Sequence, residues 1–127
     1  MARHNETGKL GEELAAKFLT DKGYLILERN YRFGRAEVDI IVQKDKTLIF
    51  VEVKTRKNNR FGFPEEFVDK KKQKLMRSAA EEYSYSTQWN GELRFDVIAI
   101  TNAETDKALI EHFEDVFFAD DNEPGYN

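Results

Sequence analysis

Apolar residues recur near the start of the chain at Leu10, Leu14, Ala15, Phe18 and Leu19. That i, i+4, i+8 spacing gathers side chains on one helix face and predicts a helix over residues 8–22. Thr7 is the expected N-cap and Gly23 the expected stop. The period then changes. Tyr24-Leu25-Ile26-Leu27 opens a strand toward Tyr31, and Phe33-Gly34-Arg35-Ala36 turns the chain. Residues 38–42 and 48–53 are β-branched and apolar, separated by the polar Gln43-Lys44-Asp45-Lys46-Thr47, which predicts a β-hairpin. A loop over residues 58–64 follows. Asp69 is placed to cap a second helix reaching about Tyr83, with Leu75, Ala79 and Tyr83 in register. Asn90-Gly91 marks a turn, and residues 95–100 form a nearly continuous apolar run, expected to be a strand buried on both faces. Residues 109–118 suit one more strand, and the acidic tail, 119–127, is expected to fray.

The order is α-β-β-β-α-β with that further strand. A helix between two strands calls for a parallel pair, so the expected fold is a three-layer α/β domain with a central mixed sheet flanked by helices. At 127 residues the chain is expected to be a single domain with its core over about 8–118.

The net charge of −4 argues at first against a polyanionic partner, but its distribution reverses that reading. Residues 54–77 carry nine basic side chains against three acidic, whereas residues 101–127 carry one basic and eight acidic. Arg56, Lys57, Arg60, Lys70, Lys71 and Lys74 in the basic middle are the candidate nucleic-acid contacts; otherwise the segment is a solvated lysine-rich helix. There is no cysteine, which excludes a disulfide framework or thiolate metal site. No signal-peptide core and no apolar run of membrane-spanning length is present, so the expected location is the cytoplasm and no membrane partner is foreseen. His4 and His112 stand apart and suggest neither a zinc site nor a catalytic base.

The hairpin carries the chemistry. A tight loop at Asp45-Lys46 places Asp39 opposite Glu52 and Glu37 opposite Lys54, all four on one face. Val38, Ile40 and Val42 then share the other face with Ile49, Val51 and Val53. Two carboxylates about 5 Å apart at Cβ repel unless a positive charge lies between them. One reading supplies a divalent cation: Mg²⁺ (or Mn²⁺) takes oxygen ligands, often one or two carboxylates plus substrate phosphate oxygens. Lys54 would then orient a water or neutralise developing charge, and Glu12 or Glu13 would add a third acid. The other reading is a structural set of cross-strand acid–lysine pairs, against which stands the cost of placing Asp39 and Glu52 within the most apolar strands. Composition and spacing leave both open.

Asp39 followed by Glu52-Val53-Lys54 resembles the PD-(D/E)xK nuclease signature. The longer pattern looks like the YraN-like family of uncharacterised bacterial proteins, itself similar to archaeal Holliday-junction resolvases. It is carried by Gly8-Lys9-Leu10-Gly11-Glu12, Gly23-Tyr24, Arg29-Asn30-Tyr31-Arg32, Glu37-Val38-Asp39-Ile40-Ile41, Phe50 to Arg56, Phe61-Gly62 and Arg94-Phe95-Asp96-Val97-Ile98, over roughly residues 8–100. The resemblance implies a restriction-endonuclease-like fold. It makes Glu12 the helix-borne acid, Asp39 and Glu52 (with Glu12) metal ligands, and Lys54 the catalytic lysine. Ala36 departs from the family's usual Gly, which matters only if the backbone there needs positive φ. Glu37 is an accessory acid. Gln73 lies where related nucleases place a site-facing polar residue, and is otherwise an exposed surface glutamine. Phe61 and Phe63 could stack on bases, whereas Phe67 is expected in the core.

The function expected is metal-dependent hydrolysis of DNA phosphodiester bonds, selective for junctions or flaps. A homodimer fits the resolvase likeness, since two cuts need two sites. The alternatives are a non-catalytic nucleic-acid-binding module with the same fold and a protein-interaction domain whose acidic tail meets a basic partner.

Overall fold

The computed structural model describes the backbone of residues 2–56 and 68–117, with side chains from Thr7 onward. The loop at 58–64, with Lys57, Arg60, Phe61, Phe63 and Phe67, the acidic tail and the His4 side chain lie outside the described residues. The elements are α1 (Ala2–Asp21), β1 (Leu25–Phe33), β2 (Ala36–Lys44), β3 (Thr47–Arg56), α2 (Lys70–Ser86), β4 (Glu92–Thr101) and β5 (Leu109–Phe117). The strands form one mixed sheet in the order β1-β2-β3-β4-β5, antiparallel except for the parallel pair β3–β4. α2 is the crossover that joins the parallel strands.

Each helix covers one face. Ala15, Ala16 and Leu19 of α1 pack on Ile40, Val42, Ile49, Val51, Ile98 and Ile100. Met76, Ala79, Ala80 and Tyr83 of α2 pack on Ala36, Val38, Ile41, Leu48, Phe50, Phe95 and Val97. Phe95 to Ile100 are at most 1% exposed, as expected of a strand sandwiched between two helices.

Local signals account for most of the boundaries. Asp69 caps α2, its carboxylate accepting the Lys72 N–H at 2.8 Å. Gly23, at φ 90, ends α1 as anticipated: the Tyr24 N–H reaches Leu19 O and the Gly23 N–H reaches Thr20 O. This paired closure needs a left-handed residue after the last turn. The N-terminus of α1 differs from expectation. The helix starts at Ala2, so Thr7 lies within it, and its hydroxyl donates to Glu104 at 2.6 Å instead of capping. Ala36 is buried and is not among the positive-φ residues, so the Gly-to-Ala departure leaves the turn unstrained.

α1 sits hard against β3 at one point. A Cβ on Gly11 would lie 2.2 Å from Thr55 Oγ1, closer than any side chain can approach. Any larger residue would force the Thr55 side chain or the helix to shift, and with glycine there the neighbouring Glu12 lies beside the end of β3.

Candidate metal and phosphate site

The β2–β3 hairpin closes through Asp45-Lys46, with Lys44 paired to Thr47 and the register running to Ile40–Val51. One step beyond, the Asp39 carboxylate takes the Val53 N–H at 2.7 Å. The strict alternation of faces breaks at this point. Val38 therefore packs under α2 with Ala36 and Ile41, not with Ile40 and Val42 as simple alternation requires. Glu37 is also displaced from its expected partner: it pairs with Arg32 at 2.6 Å, while Lys54 turns to Glu52 at 3.4 Å.

An open cleft of about 340 Å³ lies at this end of the sheet, lined by Glu12, Glu37, Asp39, Glu52, Lys54 and Lys72 together with Thr7, Thr55 and Arg56. The four residues expected to carry chemistry, Glu12, Asp39, Glu52 and Lys54, thus share one cavity although they come from α1, β2 and β3. Glu52 is 5% exposed, and its Oε1 is buried without a hydrogen-bond partner. Its Oε2 faces two ammonium groups, Lys54 Nζ and Lys72 Nζ, each at 3.4 Å.

Electrostatics in the cleft are unbalanced. Burial pushes the Asp39 carboxyl up, the Glu52 charge adds to this, and the Val53 N–H and the Lys72 ammonium offset only part, leaving it at about 7. Burial likewise raises Glu12, against the pull of Arg29 and a hydrogen bond from Asn30, with Glu37 pushing the same way as burial. Asn30 holds φ 55 in the interior of β1, a conformation that asparagine tolerates better than most residues.

Two carboxylates in mutual repulsion, one with an unpartnered buried oxygen, are a donor set that suits a hard divalent cation. Among the described residues no group of three or more acidic or histidine side chains stands close enough together to form a metal cage. Asp39 and Glu52 are the two acids in the cleft whose chemistry would suit such an ion. Glu12 lines the same cleft and raises the Asp39 pKa from there.

The basic residues separate into two groups. Arg56 lines the cleft. Lys70, Lys71 and Lys74 are exposed on α2 and do not line it. Lys72, next to Lys71 and two positions from Lys70 and Lys74, is the α2 lysine that lines the cleft beside the acids, and sequence reasoning missed it. Counting helical positions from Asp69 could have singled it out, but only with the docking angle of α2 in hand. Gln73 is a correction. It is 6% exposed, not a surface residue, and its amide donates to Val68 O at 2.9 Å while its Oε1 stays buried without a partner.

His112 is a second surprise. Its Nε2 lies 2.7 Å from Asp96 Oδ2, and Phe18 and Tyr24 pack edge-on against its ring. Asp96 is fully buried and also receives Arg94 Nε and Nη2, each at 2.9 Å, and the Asp115 N–H at 3.0 Å. Burial alone would raise this carboxyl, but His112, Arg94 and Asp115 together hold it below its ordinary value.

Among the described residues no helix is long and apolar enough to cross a membrane. The model of uncharacterised protein family UPF0102 matches residues 11–100, nearly the stretch on which the motif resemblance rested. A UPF0102 protein of Flavobacterium psychrophilum is 49% identical over 118 residues, covering 93% of this chain and 98% of that one. A UPF0102 protein of Cytophaga hutchinsonii is 45% identical over 108 residues, covering 85% and 96%. One from Dictyoglomus thermophilum is 46% identical over 107 residues, covering 84% and 91%. Matched over most of its length by both the family model and these relatives, the chain belongs to the uncharacterised protein family UPF0102.

Proposed function

We propose that this chain is a metal-dependent nuclease that hydrolyses phosphodiester bonds of DNA in the cytoplasm, with a PD-(D/E)xK site on a restriction-endonuclease-like core. The observation that carries the reading is the pairing of Asp39 with Glu52 in a cleft whose other walls bring Lys54, Arg56 and Lys72. Negative ligands for a cation and positive groups for a phosphate occupy one cavity, which neither a solvated sheet nor a simple ion-pair network requires. The motif spacing of Asp39 and Glu52-Val53-Lys54 supports the same reading.

Asp39 and Glu52 would hold Mg²⁺ or Mn²⁺. Such an ion would polarise the phosphate and lower the pKa of an attacking water. Lys54 is placed to neutralise charge that develops on the phosphoryl oxygens, and Arg56 to hold a phosphate by its guanidinium fork. Lys72 lies 3.4 Å from Glu52 and would be free to meet a substrate phosphate where Asp39 and Glu52 held a cation. Glu12, fixed by Asn30, adds a third carboxylate at the rim. Exposed Lys70, Lys71 and Lys74 give the same helix a basic outer surface for the flanking duplex. A homodimer would deliver two cuts to a branched substrate.

The test is a cleavage assay with Mg²⁺ or Mn²⁺ on linear, single-stranded, flap and four-way-junction DNA, run beside Asp39→Asn and Glu52→Gln. Metal-dependent cleavage lost in both variants is the expected result. Binding without cleavage on every substrate would instead establish a non-catalytic nucleic-acid-binding module.

A further inference from the structure

A second hollow of about 280 Å³ adjoins the cleft and shares two of its walls, Thr7 and Arg56. Its remaining lining is the β4–β5 turn: Asn102, Ala103, Glu104 and Thr105. The turn is tied down. The Asn102 N–H donates to Arg56 O at 3.1 Å, which fastens it to the end of β3. Asn102 holds φ 57, the Thr105 hydroxyl donates to Asn102 O at 3.0 Å and accepts the Lys107 N–H at 3.0 Å. The Thr7 hydroxyl crosses from α1 to Glu104 at 2.6 Å. The hollow is therefore built by three elements and opens beside the proposed scissile phosphate.

Its chemistry differs from that of the cleft. The cleft pairs acids with three cations. In the hollow, Arg56 stands on the shared wall, while the other ionisable side chain is the Glu104 carboxylate. A carboxylate repels phosphate and accepts hydrogen bonds. Ala103, small and 8% exposed, belongs to the core that α1 covers and closes the hollow with an uncharged wall. Arg56 would take a phosphate at the boundary, and Glu104 a neutral group that carries N–H donors.

We infer that this hollow is a nucleoside subsite for the residue next to the scissile phosphate, and that it favours bases with an exocyclic amino group, which Glu104 accepts. Cytosine and adenine present such donors on their exposed edges; thymine presents a carbonyl in the corresponding place. The inference rests on the nuclease reading of the neighbouring cleft and extends it to substrate preference.

The test is fluorescence anisotropy with dye-labelled oligomers of deoxycytidine, deoxyadenosine and thymidine, each about ten nucleotides long. The full chain is used at low salt, with Ca²⁺ in place of Mg²⁺. One hydrogen bond at a partly solvated site is worth roughly a 3- to 10-fold difference in affinity, so the cytidine and adenosine oligomers should bind that much more tightly than the thymidine oligomer. Glu104→Ala should erase the preference, bringing all three to the thymidine level, whereas Thr7→Val, which removes the same Thr7–Glu104 hydrogen bond but keeps the carboxylate, should retain it. Equal affinities in the wild type, or a preference that survives Glu104→Ala, would overturn the subsite alone. A uniform gain for all three oligomers in the variant would do the same, by showing that Glu104 is only a repelling charge. No affinity for any oligomer would sink the nuclease reading and the subsite together.

Discussion

The sheet treats two aspartates, Asp96 fully buried and Asp39 half-buried, in opposite ways. Asp96, on β4, has every charge answered: Arg94 by two nitrogens, His112 by one and the Asp115 main chain by another. Its carboxyl is held below the ordinary value despite complete burial. Asp39, on β2, has one main-chain donor and an acid for a neighbour, and its carboxyl is driven up to about 7. When the fold needs a buried acid it surrounds it with donors, as at Asp96. At Asp39 the charge of Glu52 is instead set against it, with Lys54 and Lys72 turned to Glu52, and it is this imbalance on which the proposed site rests.

The comparison can be broken at its satisfied end first. Asp96→Asn leaves half-buried Arg94 and the buried side chain of His112 against a neutral amide, and removing one partner of a buried network costs about 3–5 kcal/mol. Urea denaturation should show that loss, with metal and DNA binding per folded molecule unchanged. A change under about 1 kcal/mol would mean that the network does not hold β5 to β4, and the contrast would lose its reference.

At the other end the sign reverses and depends on pH. Asp39 has a folded-state pKa above its ordinary value of 3.8. Well below its ordinary value of 3.8 both states are protonated and the residue costs nothing. As pH rises from there through about 7, the unfolded chain gives up a proton that the folded chain retains, so stability is lost, and above pH 7 the cost is complete. Asp39→Asn keeps an acceptor for the Val53 N–H and removes the charge. It should raise stability at pH 8 by up to roughly 4 kcal/mol and leave it nearly unchanged near pH 3. Melts at the two pH values check this; destabilisation at pH 8 would place Asp39 in the same class as Asp96.

The smallest effect sharpens the comparison. Lys72→Gln removes one of the two ammonium groups on Glu52 at a partly exposed position, costing less than about 1 kcal/mol alone. In that background the gain from Asp39→Asn should grow by about 0.5–1 kcal/mol, because the acids have lost one source of relief. A double-mutant cycle by denaturation at pH 8 measures it, and strict additivity would remove Lys72 from the site.

Much of this was legible in the sequence, and the reasons are physical. The turn at Asp45-Lys46 sets the hairpin register as far as Ile40 and Val51, and beyond it Asp39 reaches the cleft that Glu52 lines although the alternation of faces has broken. The apolar run of β4 and the helix before it required the parallel pair with β3. What escaped was decided by atoms far apart in the chain. Lys72 reaches Glu52 only because α2 docks where it does, and Gln73 is buried for the same reason. Val38 and Glu37 went astray because a side chain bonds the main chain at Asp39, and no periodicity encodes that exchange. Asp96 and His112 are sixteen residues apart, and neither has a neighbour in sequence that announces the other.

The hairpin has a kinetic consequence. β2 and β3 are adjacent in the chain and joined by two residues, so they can pair on the microsecond scale of isolated hairpins. β4 and α2 can join only after a crossover spanning residues 57–91 has closed, a slower and entropically costlier step. The two acids are therefore brought together early, before Lys72 arrives to relieve them. Repulsion between Asp39 and Glu52 opposes an opening step of assembly as well as its end point. Above neutral pH, Asp39→Asn should accordingly shorten the refolding time and not merely slow unfolding, since a hairpin formed in the transition state passes its relief on to the folding rate.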